Sequence, residues 1–183
     1  MEEELFENIK NKNLDKVKSC IENGVDLEYR NYYGYDPLHW AIEYSSVDIV
    51  KYLLEFKVNI NNRNNHYQSP LHSAVFNNDI DKVKLLLEEN CYLYFFDDRD
   101  QTPLHIAFLT NCFYEYDNLN IIDCLISNGA DINFNGYGYF NSILHDFLDI
   151  CYNDLSNKEQ YNKIFLYLVT ECKADIYTRP VTI

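Results

Sequence analysis

Apolar residues return along this chain at helical spacing in short bursts, and the bursts themselves return at a fixed interval. Val17 to Ile21, Val50 to Leu54 and Val83 to Leu87 are three such stretches, with Ile122 to Ile126 following later. Residues such as Val50, Leu53 and Leu54, then Val83, Leu86 and Leu87, fall on one helical face. The first three stretches open on Asp15-Lys16-Val17, Asp48-Ile49-Val50 and Asp81-Lys82-Val83, evenly spaced along the chain. Two of the stretches end in Asn23-Gly24-Val25-Asp26 and Asn128-Gly129-Ala130-Asp131-Ile132-Asn133. Gly24 and Gly129 sit where a helix stops in a left-handed conformation. Asn90 fills the same slot and tolerates that conformation, whereas Lys57 does so less comfortably.

A second pattern keeps step with the first. Pro37-Leu38-His39-Trp40-Ala41 recurs as Pro70-Leu71-His72-Ser73-Ala74 and as Pro103-Leu104-His105-Ile106-Ala107, at the same even spacing. Ile143-Leu144-His145-Asp146-Phe147 is a fainter copy that follows the third at a longer interval. Each proline suits the first turn of a helix, where its missing N–H is harmless. The unit is therefore turn, short helix, tight turn, second helix and exit loop. One such helix pair cannot bury its apolar face alone, so the period predicts an all-α solenoid of stacked pairs.

These residues resemble the ankyrin family, whose repeat of about 33 residues carries a T-P-L-H-x-A core. Thr102-Pro103-Leu104-His105-Ile106-Ala107 matches that core fully, and Asn128 to Asn133 matches the N-G-A-D-I-N exit. The resemblance implies an ankyrin-repeat solenoid of helix-turn-helix units with hairpin-like loops, expected to form one domain over residues 1–183. It parses into an N-terminal half-repeat cap at 1–30, repeats at 31–63, 64–96 and 97–135, and a degenerate C-terminal repeat at 136–179. The third repeat departs from the pattern. The stretch from His105 to Ile122 is longer than those from His39 to Val50 and from His72 to Val83. The extra residues, near Asn111 to Asn118, are expected to lengthen the turn between helices. A further insertion lies around Asn153 to Asn162.

Composition changes the picture in two ways. A net charge of −14 repels phosphate backbones and anionic lipid, so neither nucleic acid nor a membrane is an expected partner. The same charge either steers a basic protein towards this surface or simply keeps the chain soluble. No apolar run approaches the roughly 18 residues of a membrane span. The start, Met1-Glu2-Glu3-Glu4, reverses a signal peptide's basic region, and a cytoplasmic address is expected, in the producing cell or a host cell. Six widely spaced cysteines fit buried thiols in a reducing compartment better than zinc ligands or disulfides.

Histidines and acidic residues invite an enzymatic reading, but the phase argues against it. His39, His72, His105 and His145 occupy one repeated slot at a helix start, and the resemblance implies that each fastens one repeat to the next. No phosphate loop, nucleophile elbow or H-E-x-x-H helix appears. Catalytic residues, cofactor and metal are therefore all expected to be absent, and the chain is expected not to be an enzyme. Trp40 is read as packing rather than ligand contact.

The resemblance also implies that hairpin tips and first helices form the binding face. Carried over position by position, it puts Tyr32, Tyr33, Tyr35, Glu43 and Tyr44 on that face in the first repeat. The second repeat contributes Asn65, His66, Gln68, Phe76 and Asn77, and the third Asp98, Arg99, Gln101, Leu109 and Thr110. Tyrosine offers large amphipathic contact at low entropic cost, which favours an interface over the duller explanation, a Tyr-, Asn-, Ile- and Lys-rich composition. Tyr92-Leu93-Tyr94-Phe95-Phe96, with Phe134, Tyr137, Tyr139 and Phe140, forms either an apolar strip along the hairpins or packing for the longer loop. The expected function is non-enzymatic protein binding, by an inhibitor or decoy that masks another protein, a basic one if the charge steers it, with the chain itself a monomer. Similar compact ankyrin proteins serve as viral or bacterial effectors and as immunity proteins. The alternatives are an adaptor or scaffold, or a substrate of asparaginyl hydroxylation at Asn61 and Asn133.

Overall fold

Each apolar burst folds as the helix its spacing predicts. The computed structural model describes residues 1–114, 119–134, 142–153 and 158–174. Among them run ten helices in chain order: α1 (Glu2–Lys10), α2 (Leu14–Glu22), α3 (Pro37–Tyr44), α4 (Val47–Leu54), α5 (Pro70–Phe76), α6 (Ile80–Glu88), α7 (Pro103–Tyr114), α8 (Leu119–Ser127), α9 (Ile143–Asn153) and α10 (Lys158–Thr170). The described residues hold no strand. No described helix is long and apolar enough to cross a membrane. The chain divides into two units, residues 1–103 and 104–183.

In the first unit the helices form two rows. α3 packs against α1 on one side and α5 on the other, while α4 lies between α2 and α6. Each first helix also packs on its own second helix. The interior repeats with the sequence: Leu38, Ala41 and Ile42 of α3 are buried, as are Leu71, Ala74 and Val75 one period later. Ile49, Val50 and Leu53 of α4 correspond to Lys82, Val83 and Leu86 of α6, all buried as well.

Two features were not expected from the sequence. Residues 1–30 hold a complete helix pair rather than half a repeat, because Leu5, Phe6 and Ile9 bury one face of α1 beneath α3 without any P-L-H core. Glu2, Glu3 and Glu4 suit its first turn, where the helix dipole is positive. Lys82 is only 6% exposed. Its Nζ donates to the Ile42 carbonyl at the end of α3 (2.8 Å) and lies 3.0 Å from Asp79 Oδ2. A buried amine tolerates desolvation when it is paired and bonded in this way. Repeat two is thereby tied to repeat one.

In the second unit, Leu104, Ala107 and Phe108 of α7, Ile121, Ile122 and Leu125 of α8, Leu144 and Phe147 of α9, and Ile164 and Leu168 of α10 are buried. α9 packs on α10, a further helix pair. The residues inserted after Thr110 do not merely lengthen a turn. α7 runs to Tyr114 and has 12 residues, against 8 in α3 and 7 in α5. Residues 115–118 and 154–157, the other parts of the two insertions, lie outside the described residues.

The exit slot is left-handed throughout: φ is +81° at Gly24, +54° at Lys57, +57° at Asn90, +99° at Gly129 and +56° at Lys173. Backbone bonds close each helix end, as in Val25 N to Cys20 O and Cys91 N to Leu86 O. Lys57 carries a Cβ where glycine is favoured, at a cost of about 1 kcal/mol. Lys57→Gly is expected to stabilise the protein by up to about 1 kcal/mol, less the added entropy of the unfolded chain. Urea titration checks this through the transition midpoint, which rises.

Candidate protein-binding surface

The loops ahead of α3, α5 and α7 are built from one device used three times. Asn31, Asn64 and Asp97 stand one repeat apart, and each side-chain Oδ1 accepts from two backbone N–H groups, those two and four residues ahead. The backbone N–H of each also donates to the carbonyl four residues on, at Tyr35, Gln68 and Gln101. Such short polar side chains replace the backbone partners that a tight loop lacks. Each tip then turns through a left-handed residue, at Gly34, Tyr67 and Asp100. Neighbouring tips are linked, since Asn65 N donates to the Tyr33 carbonyl and Asp98 N to the His66 carbonyl.

The repeated histidines clamp these loops. His72 Nδ1 accepts from the Ser69 backbone N–H (3.1 Å), which places the proton on Nε2, and Nε2 donates to the Gln101 carbonyl (3.1 Å). His39 Nε2 donates likewise to the Gln68 carbonyl (3.0 Å), in the loop of the next repeat. In the His39 repeat, Asp36 stands where Ser69 stands in the next: its Oδ1 accepts from His39 N (2.8 Å), and its Oδ2 lies 3.3 Å from His39 Nδ1. Burial pushes the Asp36 carboxyl up, but its contacts with His39 and the Asn62 amide outweigh burial and hold it below the usual value. His145 Nδ1 lies 2.8 Å from Ser142 Oγ.

His39 and His72 are both fully buried and committed through Nε2 to a loop carbonyl. Burial drives the His72 imidazole down to about 4, although the Gln101 carbonyl partly offsets this. Burial also pushes the Cys91 thiol up to about 12 and Cys172 to about 11, far from a reactive thiolate. Tyr167 donates to Asp123, and its phenol is pushed well up, first by burial and then by that carboxylate.

The expected surface residues divide into three groups. Tyr32 and Tyr33 stand out from the first tip, 89% and 59% exposed, with rings edge-to-face at 5.3 Å. Tyr44 is 40% exposed, and its ring lies 4.3 Å from that of Trp40. Asn65, His66, Phe76, Asn77, Asp98 and Arg99 are exposed too. His66 Nδ1 pairs with Asp98 Oδ2 at 2.8 Å, and Asn77 donates to Glu43. Tyr35, Glu43, Gln68, Gln101 and Leu109 are half-buried. Tyr35 packs edge-on to both His39 and Trp40, and Gln68 and Gln101 hold the loops through their carbonyls. Thr110 corrects the expectation: it is 4% exposed, and its hydroxyl donates to the Ile106 carbonyl within α7.

Sequence reasoning missed how far the aromatic ledge extends. Trp40 donates from its indole N–H to the Phe6 carbonyl (3.0 Å), and Phe6 continues the row to Tyr29. Trp40 is packing, as its slot implied, but the packing props up Tyr44 and Tyr35. The usable signal was an aromatic at the variable position of the P-L-H-x-A core, one helical turn before a tyrosine. Asn61 Oδ1 accepts from Tyr92 N (2.8 Å), so that amide joins two repeats. Tyr92 packs on Tyr94 and Phe95, whereas Tyr137, Tyr139 and Phe140 lie outside the described residues.

Helix pairs locked through loop carbonyls, with side chains released at the tips, define a helical repeat module that works by presenting a surface. Two family models agree, one described as ankyrin repeats (many copies) over residues 21–74 and one as ankyrin repeats (3 copies) over residues 56–136. The chain belongs to the ankyrin repeat family. Ankyrin repeats are protein–protein interaction modules, and the family is generally non-catalytic. No curated protein matches the chain.

The clamp gives stability a pH dependence. Unfolded histidine takes a proton near pH 6.5, but folded His72 resists until about pH 4, so stability is lost as pH falls through that window. The loss is expected to be about 3 kcal/mol between pH 7 and pH 4. Denaturant midpoints across that range check it, with His72→Gln less stable at pH 7 but losing less on acidification.

Proposed function

We propose that this chain is a non-catalytic inhibitor or decoy that masks a basic protein through the first-repeat tyrosines. The observation that carries the reading is the pair Tyr32 and Tyr33, large aromatic side chains standing in solvent on a loop fixed from beneath by Asn31. Such residues order little on binding, because the backbone beneath them is already set. Tyr44 extends the ledge, with Glu43 beside it. That carboxylate, after burial, helps raise the phenols of Tyr35 and Tyr44, so both remain neutral donors. A rigid aromatic ledge edged by acid suits a basic partner, and a net charge of −14 favours its approach. Well-separated cysteines with a buried Cys91 suit a reducing compartment, which supports a cytoplasmic setting.

Affinity capture from the native cell, read by mass spectrometry, supplies the partner for two tests. The variant Tyr32→Ala/Tyr33→Ala/Tyr44→Ala is expected to bind about a hundredfold more weakly. Tyr35 is left in place, because removing it would unpack Trp40 and His39. Calorimetry on the captured partner checks this, and unchanged affinity in a folded variant removes the ledge from the interface. Raising salt from about 50 to about 500 mM is expected to slow association by about tenfold or more while dissociation changes little. Stopped-flow mixing checks it, and a salt-independent on-rate rules out a steering role for the charge.

A further inference from the structure

The acidic chain carries four arginines, at Arg30, Arg63, Arg99 and Arg179. Two of them, one repeat apart, line a single open pocket of about 490 Å³ together with Asn61, Asn62, Asn64, Asn65 and Tyr67. We propose that this pocket is an anion site that takes the phosphate of a phosphorylated side chain, a reading that rests on the protein-binding function only for the phosphate's source.

Three observations carry it. First, both guanidinium groups keep N–H donors with no described partner. Arg30 donates once, from Nη1 to the Arg63 carbonyl (3.2 Å), and Arg63 donates to no described residue. Among the described residues no carboxylate pairs with either, although the chain has 29 acidic side chains. Asn61 adds an Nδ2 group with no described partner, since only its Oδ1 is engaged, by Tyr92 N. Glu28 acts on the same loop, but its two oxygens accept from Asn59 N and Asn62 Nδ2.

Second, Arg63 is positioned. Its guanidinium carbon lies 5.1 Å from the ring centroids of both Tyr67 and Phe95. Stacking on ring faces holds the planar group while leaving its N–H edges available, the geometry in which arginine binds phosphate.

Third, the backbone beneath Tyr67 is strained. Its φ of +58° falls in a tip slot held by glycine at Gly34, and a bulky aromatic there is an outlier. The Tyr67 ring at this slot is what supports Arg63. Two forked arginines with an added amide supply more donors than a carboxylate can use, and they suit three phosphate oxygens carrying nearly two charges. The Asp36 and Glu28 carboxylates both accept from the Asn62 amide at one side of the pocket, and salt screens charges more than about 8 Å away.

NMR titration of the full ¹⁵N-labelled chain tests the site, with capped phosphoserine, inorganic phosphate and capped glutamate as probes at constant ionic strength. Saturable shifts at Arg30, Asn61, Arg63 and Asn65 are expected with phosphoserine, which binds about tenfold more tightly than glutamate. Arg30→Gln/Arg63→Gln is expected to lose about tenfold or more in affinity while keeping its melting temperature. Should the double variant unfold, Arg63→Lys, which keeps the charge but not the fork, is expected to weaken binding severalfold. Shifts that do not saturate, that persist in the folded variants, or that glutamate reproduces equally overturn the site. Inorganic phosphate binding more tightly than phosphoserine overturns its assignment to a side chain. Because these probes need no protein partner, loss of partner binding in the tyrosine variant leaves this result standing, and the reverse holds too.

Discussion

The fold depends on an imidazole reaching from one helix start to the loop of the next repeat. The Gln68 carbonyl accepts from His39 of the preceding repeat and from the backbone N–H of Asn64 in its own loop. The Gln101 carbonyl is held in the same way by His72 and Asp97. A carbonyl with two donors has little need of water, and a loop fixed at that point cannot slide on the helices behind it. In His72 the Ser69 backbone N–H donates to Nδ1, which leaves the proton of the neutral ring on Nε2 and aims it at the Gln101 carbonyl. Proline at the first helical position, serine before it and histidine after it therefore act as one part.

Once loops are held by backbone groups and one imidazole, their remaining side chains are released from structural duty. That release explains why residues as large as Tyr32, Tyr33 and Tyr67 can sit on tips that are themselves well ordered. It also explains the tolerance for left-handed residues that are not glycine. Lys57 and Tyr67 each carry a strain of about 1 kcal/mol that the repeated packing around them over-determines, whereas Asn90 and Asp100 take up that conformation more readily. Tip and exit slots behave differently under this strain. At the exits the side chain gains nothing evident, whereas at Tyr67 it gains a stacked guanidinium.

Helix positions and the repeat period were legible because both are read from apolar spacing, which the buried faces of α3 to α6 must obey. The first helix was not, since α1 has no P-L-H core, although it buries Leu5, Phe6, Asn8 and Ile9 and packs on α3. The extension of α7 was hidden for a different reason: an insertion between two helices looks the same whether it lengthens the helix or the turn. Of the surface, exposure at Tyr32, Tyr33 and Tyr44 follows from repeat phase. Thr110 fails because phase says nothing of a hydroxyl folding back on its own helix, here to Ile106 O. The Arg30–Arg63 pocket was invisible, since the two residues are neighbours only after repeats stack, and a reading guided by net charge looks for acid.

The acid and the arginines operate over different distances. A charge of −14 spread over the chain acts on an approaching partner from beyond contact, and salt weakens that action steeply. Two guanidiniums in one pocket act at hydrogen-bond range, where screening has little room and fork geometry decides what fits. A partner that is basic overall yet carries one phosphorylated side chain would satisfy both, drawn in by the field and fixed by the pocket. An acidic partner would meet repulsion before reaching the arginines, and an unmodified basic one would leave their donors facing water. The pairing of a diffuse negative field with a local positive site thus narrows the partner further than either does alone.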